Sequence, residues 1–274
     1  MITREENISL NKKEYSFIKS GWGEETATGV ELKKIHYLSD NIDVEGFLAK
    51  PKNIKNKIPL IIWNRGGFKE SGKLDNFLAF GLLGEIASWG YAVLASQYRG
   101  EDEFGGSDVN DILELINLAN EFDYVDTDLI GMEGWSRGGM MTYLTLTKTD
   151  SVKCAVIISG LANLIRNRRN SNFLKLVNSI YSESNEENIR NELIKRSAVN
   201  FSKKVSRNTS ILFIHGDKDE RISYLDSEDM YYKLSSNSQA NYELKIIENG
   251  DHFLKSSRKY VSKLRQNWFS NYLK

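Results

Sequence analysis

The sequence is short of the residues from which cross-links and metal sites are built. Its 274 residues hold one Cys and three His. A single thiol cannot close an internal disulfide, and one Cys with three scattered His shows no metal-ligand spacing, so neither a metal nor another cofactor is expected. Charge of one sign is missing too: 37 Lys and Arg balance 37 Asp and Glu. Nucleic-acid binders carry a basic excess, so a polyanion partner is not expected. No apolar run approaches the roughly 18 residues of a membrane span. The polar, charged N-terminus holds no apolar stretch of signal-peptide length. Repeats and low-complexity tracts are also absent. What is present is a chain with 40% hydrophobic and 11% aromatic residues, too apolar for disorder and long enough to bury a large core without a staple. These features lead to the expectation of a soluble, cytoplasmic globular protein; nothing in them specifies an oligomeric state.

Short β-type runs alternate with helical periodicities along the chain. Residues 31–38 and 43–50 read as a hairpin around Ser39, Asp40 and Asn41. The apolar run at 58–63 has the pattern of a strand covered on both faces. Phe77, Phe80, Leu83 and Ile86 follow at helical spacing, and Gly90 stops that helix. A strand at 91–97 precedes a helix N-capped by Asp108. Strands at 129–134, 154–159, 210–215 and 242–248 are interleaved with helices at 137–148, 225–235 and 255–271. The fold class is therefore α/β, with a mostly parallel, eight-stranded sheet and helices on both faces. Residues 1–274 are expected to form one domain, with 1–30 as an N-terminal extension. The stretch 161–200 interrupts the alternation and is either a pair of surface helices or a cap over a pocket.

The strongest chemical signal is Gly134-Trp135-Ser136-Arg137-Gly138-Gly139, set between a buried strand and a helix. A turn this tight needs small residues two before and two after the Ser. It would hold the hydroxyl proud of the sheet at a helix N-terminus, where amide hydrogens can stabilise an oxyanion. A serine nucleophile needs a base, and the base an orienting acid. His36 lies in the N-terminal hairpin, and His215 ends a strand with its ring held against the following turn. His252 sits on the loop after the last strand, which makes it the base. Asp217, Asp219 and Glu220, on the loop after strand 210–215, all qualify as the acid.

These residues resemble the catalytic domain of the prolyl oligopeptidase family, within the α/β-hydrolase fold. The resemblance rests on the Ser136 motif, on His215-Gly216 with Asp219 and Ile222, and on Gly250-Asp251-His252. Gln97 to Gly100 with Asp102 to Asp108, and Arg196 to Asn200, extend it over nearly the whole chain. It implies that the acid, four residues after the motif His, is Asp219. It also implies two oxyanion donors, the backbone N–H of Arg137 and one from the loop after strand 58–63, where Gly67 is the expected donor. Family members differ at the position of Arg65, which either lends its guanidinium or forms an ion pair with Glu70 or Glu101. The Arg137 side chain contacts a substrate or forms an ion pair at the helix start. Cys154 reads as a packed hydrophobe and Glu133 as a hydrogen-bonded structural carboxylate.

The implied activity is acyl transfer through a covalent intermediate on a small-molecule or short-peptide substrate: a short peptide, an acyl-amino acid or a carboxylic ester. Larger members carry a β-propeller that screens peptides by size, and this chain is expected to lack that filter. Two other readings are a carboxylesterase or thioesterase without peptidase activity, and a non-catalytic hydrolase-fold protein that binds a ligand or partner.

Overall fold

The continuous apolar runs lie in the middle of the sheet. In a computed structural model, which describes residues 1–100, 102–236 and 240–274, β1 (Ile2–Ile8), β2 (Val30–Ser39) and β3 (Ile42–Pro51) are followed by β4 (Ile58–Asn64), β5 (Ala92–Ser96) and β6 (Val125–Trp135). β7 (Val152–Ile158), β8 (Ser210–Gly216) and β9 (Tyr242–Ile247) complete the sheet. Their order is β1-β2-β3-β5-β4-β6-β7-β8-β9. The β1–β2, β2–β3 and β3–β5 pairs are antiparallel, and the remaining pairs are parallel. The β2–β3 turn places Asp40 at φ 51° and Asn41 at φ 62°, the pair of left-handed residues that lets a two-residue turn follow the twist of its strands.

The sheet has one strand more than the eight expected. β1 comes from the segment read as an extension, and its sequence, ITREENI, gave no apolar signal because all but its end residues are exposed. It is an edge strand held by cross-strand charges, among them Lys33 to Glu5 at 2.7 Å.

Helices cover both faces. On one lie α1 (Lys12–Trp22), α2 (Glu24–Thr28), α3 (Asn76–Ser88) and α11 (Arg258–Tyr272), packed through Ile18, Leu83, Ile86, Val261 and Phe269. The other carries α4 (Val109–Leu118), α5 (Arg137–Thr145) and α10 (Leu225–Ser235), packed through Ile112, Leu115, Met141 and Met230. Residues 161–200 form α6 (Leu164–Asn167), α7 (Ser171–Ile180), α8 (Glu186–Arg196) and most of α9 (Ala198–Phe201). They join the second face through Phe173, Val177, Ile189 and Leu193. Every parallel strand ends at the same edge of the sheet, the edge at which such folds collect their chemistry.

Candidate active site

At the end of β6 the chain turns sharply into α5 through Ser136, whose φ of 58° and ψ of −118° lie outside the ordinary wells of an L-residue. Hydrogen bonds fix this conformation. Ser136 N–H donates to Ile158 O at 2.9 Å, and its carbonyl accepts from Gly139 and Leu161 at 3.0 and 3.1 Å. The flanking glycines are required by close approach: a Cβ on Gly134 would sit 2.2 Å from Gly138 O, and one on Gly138 would sit 2.0 Å from Asn64 O. The spacing of small residues in the sequence is thus a packing requirement of the turn.

Of the three acids proposed from the sequence, Asp219 is the one that reaches His252. Its Oδ2 lies 2.7 Å from His252 Nδ1 and 3.2 Å from His215 Nε2, while Oδ1 accepts the N–H groups of Arg221 and Ile222 at 2.8 and 3.0 Å. Burial opposes ionisation of this carboxyl. Its hydrogen bonds to His215 and His252 outweigh that and hold it well below the usual carboxylate range. Asp217 instead leaves Oδ1 buried without a partner, and Glu220 is exposed. His215 binds Ser227 Oγ at 2.7 Å and the Ile222 carbonyl at 3.2 Å, so its ring is held by the turn. His36 pairs with Asp43 near the antiparallel edge.

The loops bearing Asp219 and His252 are laced together by Lys218 N–H to Gly250 O at 3.0 Å and Asp217 N–H to Ile247 O at 3.1 Å. The His252 carbonyl accepts from Trp135 Nε1 at 3.1 Å and Ser159 Oγ at 3.2 Å. These two anchors, next to the elbow and at the end of β7, were not singled out in the sequence. Ser136 and His252 line one cavity. No hydrogen bond joins them among those of the described residues, and such bonds often tighten only when substrate is bound.

Facing Ser136 is the loop after β4. Gly67 has φ 74°, a left-handed value open to Gly at little steric cost, and lines the same cavity. Two arginines hold this loop from beneath. Arg65 donates to Gln97 O at 2.9 and 2.8 Å, to Gly66 O at 3.0 Å and to Lys69 O at 3.2 Å. Its nearest carboxylate is Asp102 at 3.8 Å. The expected pairing with Glu70 does not form, since Glu70 is taken by Lys73, and Glu101 lies outside the described residues. Arg137 donates to Gly67 O at 3.0 Å and to Asp102 at 2.6 Å through both ends of its guanidinium, and it also bonds Asp108.

The Tyr98 ring centroid lies 4.7 Å from each of the two guanidinium carbons. Asp102 in turn accepts the Lys69 N–H at 3.0 Å. Burial would raise the Asp102 carboxyl, but its bonds to Arg137 hold it below the ordinary value. Asp108 precedes α4 but makes no side-chain cap bond. The expected N-cap is therefore corrected: its carboxylate is drawn instead to Arg137 and to the Gly105 N–H at 3.0 Å. The ion pair anticipated for Arg137 is present, with partners that the sequence did not identify.

The cavity has a volume of about 1000 Å³. Phe173 and Leu176 of α7 form part of its wall. Glu133, on its floor, is held by Arg265 through two contacts of 2.8 Å and by Trp63 Nε1 at 3.1 Å. Cys154 is fully buried, and burial pushes its thiol well above its ordinary value. Among the described residues no helix is long and apolar enough to cross a membrane.

Known proteins share this architecture. The family model described as the prolyl oligopeptidase family matches residues 84–274. The uncharacterized peptidase YtmA of Bacillus subtilis is 27% identical over 71% of this chain and 76% of its own length. YitV of the same organism, which carries an esterase designation, is 28% identical over 82% of this chain and 94% of its own. Among solved structures, the acylaminoacyl peptidase of Pyrococcus horikoshii superposes with a TM-score of 0.74 at 22% identity, a likeness of fold; it covers 90% of this chain, which spans 42% of that longer one.

Proposed function

Since the chain belongs to the prolyl oligopeptidase family and is a serine hydrolase of the α/β-hydrolase fold, we propose that Ser136, Asp219 and His252 are its catalytic triad and that it cleaves an amide or ester bond of a small substrate through an acyl-enzyme. The observation that carries this reading is the 2.7 Å contact between Asp219 and His252, on loops that border the same cavity as the strained Ser136.

Ser136 Oγ attacks the carbonyl carbon while His252 takes its proton. Asp219 holds the imidazole tautomer and stabilises the imidazolium. The N–H groups of Arg137 and Gly67 receive the negative charge that develops on the carbonyl oxygen. As the C–N or C–O bond breaks, His252 returns the proton to the leaving atom. Water then attacks the acyl ester, giving its proton to His252, which restores the Ser136 hydroxyl as the acid is released. Helices α6–α9 act as a cap, a role supported by Phe173 and Leu176 on the cavity wall.

The experiment is active-site labelling. A fluorophosphonate is expected to modify wild type and to leave Ser136→Ala unmodified and at least about ten-thousandfold slower on nitrophenyl esters. Labelling or normal turnover of the alanine variant would overturn the triad. A carboxylesterase is the second reading, favoured by the likeness to YitV. Comparing nitrophenyl esters with aminoacyl nitroanilides separates it from a peptidase, because amides demand more protonation of the leaving group.

A further inference from the structure

The cavity that Ser136 and His252 border has a further lobe lined by residues of α1, α3 and α11. Its walls are apolar, formed by Trp22, Trp63, Leu78, Leu82 and Val261. The acids that line it, Glu85 and Glu133, are both engaged by Arg265, at 2.9 and 2.8 Å. Its other cations are differently placed. Arg258 lies over Trp22, with its guanidinium carbon 4.2 Å from the ring centroid. Its Nη2 is buried with no hydrogen-bond partner, as is the Trp22 indole N–H. Phe253, which follows His252 and packs edge-on against its ring at 5.3 Å, carries Arg221 at 4.7 Å and Lys255 at 5.3 Å. None of Arg221, Lys255 and Arg258 has a carboxylate partner among the described residues.

A guanidinium held over an aromatic ring spends none of its N–H donors on that contact, and those donors match the geometry of a carboxylate. A buried N–H without an acceptor is unfavourable, and a ligand oxygen that the side chain turned to meet would relieve it. Position supplies the rest of the argument. His252 hands its proton to the leaving atom, so the leaving group lies on the His252 side of Ser136, the side on which Phe253 carries Arg221 and Lys255.

We propose that this lobe binds the leaving group of the substrate through a free carboxylate held by Arg258, with Arg221 and Lys255 at its entrance. The preferred substrates are then acyl-amino acids and short peptides that release an apolar amino acid or peptide ending in its own carboxylate. The proposal rests on the triad assignment, because that assignment defines the leaving side.

The test uses matched esters: the butyrate esters of 4-hydroxybenzoate and of methyl 4-hydroxybenzoate, which differ in one leaving-group charge. The ratio of their kcat/KM values, compared between proteins, cancels the intrinsic difference in reactivity. In Arg258→Gln the acid-over-methyl ratio is expected to fall by about ten- to hundredfold, the range for a hydrogen bond to a charged group, mostly through KM. Arg258→Lys should keep part of the preference, and Lys33→Gln, on the edge strand, should keep all of it. An unchanged ratio in Arg258→Gln overturns the proposal. A mirror pair, the 4-nitrophenyl esters of succinate and of monomethyl succinate, puts the charge on the acyl side instead. Loss of preference confined to that pair would assign the lobe to the acyl group and overturn the proposal as well.

Calorimetric binding of 4-hydroxybenzoate to the Ser136→Ala protein, with and without Arg258→Gln, separates the two readings. Arg258-dependent binding supports the subsite whether or not the serine is the nucleophile. Retained turnover in Ser136→Ala would sink the triad and the leaving-side assignment with it, whereas Arg258→Gln binding as well as its parent would overturn the carboxylate site itself.

Discussion

Two arginines border the same cavity and do opposite things. Arg137, beneath the Gly66–Gly67 loop, is 2% exposed and spends its guanidinium on Asp102, Asp108 and the Gly67 carbonyl, leaving only Nε without a partner. Arg258, in the same cavity, rests on an indole and has no carboxylate partner among the described residues. One side of the cavity is a neutralised frame; the other closes Arg265 on Glu85 and Glu133 and leaves Arg221, Lys255 and Arg258 without a carboxylate among the described residues. The lesson concerns how arginine is read. Its charge is constant, and what the guanidinium already grips decides whether it is a strut or a binding group.

The largest expected effect comes from the axis between the two sides. Asp219→Asn should lower kcat by about ten-thousandfold, because an amide favours the wrong imidazole tautomer. The same variant carries a pH test. The Asp219 carboxyl is held well below its ordinary value, so its ionised form stabilises the fold fully above the unfolded value of about 3.9, and that contribution disappears as pH falls through the folded value. The difference in melting temperature between wild type and Asp219→Asn should therefore be full at about pH 6 and shrink steadily below about pH 4. A difference that grows in acid would contradict the placement of this carboxylate.

Arg137→Met breaks the frame. It removes the contact on the Gly67 carbonyl and leaves two buried carboxylates without their cation. With Gly67 as the proposed oxyanion donor, its misplacement should lower kcat by about a hundred- to thousandfold. Stability should fall by about 3–5 kcal/mol in urea melts, the usual result of stripping one partner from a buried ion pair. Adding Asp102→Asn should recover part of the stability and none of the rate. If Arg137→Met kept its kcat and lost only KM, Arg137 would be a substrate contact and the two sides would be alike.

This contrast also marks how far the sequence could be read. The elbow was legible because its rule is local: Gly134, Ser136 and Gly138 are fixed by contacts within one turn and with the strand beside it. The alternation of apolar strands with helices was legible for the same reason, since each buried run carries its own pattern. β1 was not, because an edge strand paired on one side keeps polar residues. Asp108 sat where an N-cap belongs, yet its carboxylate is claimed by Arg137, 29 residues away. The stacking of Arg258 on Trp22 joins opposite ends of the chain, and neither residue carries a mark of it. Local grammar revealed the elbow and its serine; the surroundings of that serine are made by distant partners.

Salt should separate the two sides most gently. Arg221 is exposed at the cavity mouth, and Lys255 lies beside it, so their attraction for an incoming carboxylate is screened once the Debye length falls from about 10 Å at 0.1 M to about 3 Å at 1 M. KM for the acidic ester should rise by about two- to threefold over that range, the scale of weak surface electrostatics. KM for its methyl ester should change little. The buried pairing of Arg137 with Asp102 and Asp108 is shielded from ions, so kcat for both esters should stay level. Replacing Phe253 by Leu removes the ring that carries Arg221 and Lys255, and the salt effect should shrink with it. A salt effect equal for both esters, or one that survives Phe253→Leu, would mean that the cations at the mouth do not face the leaving group.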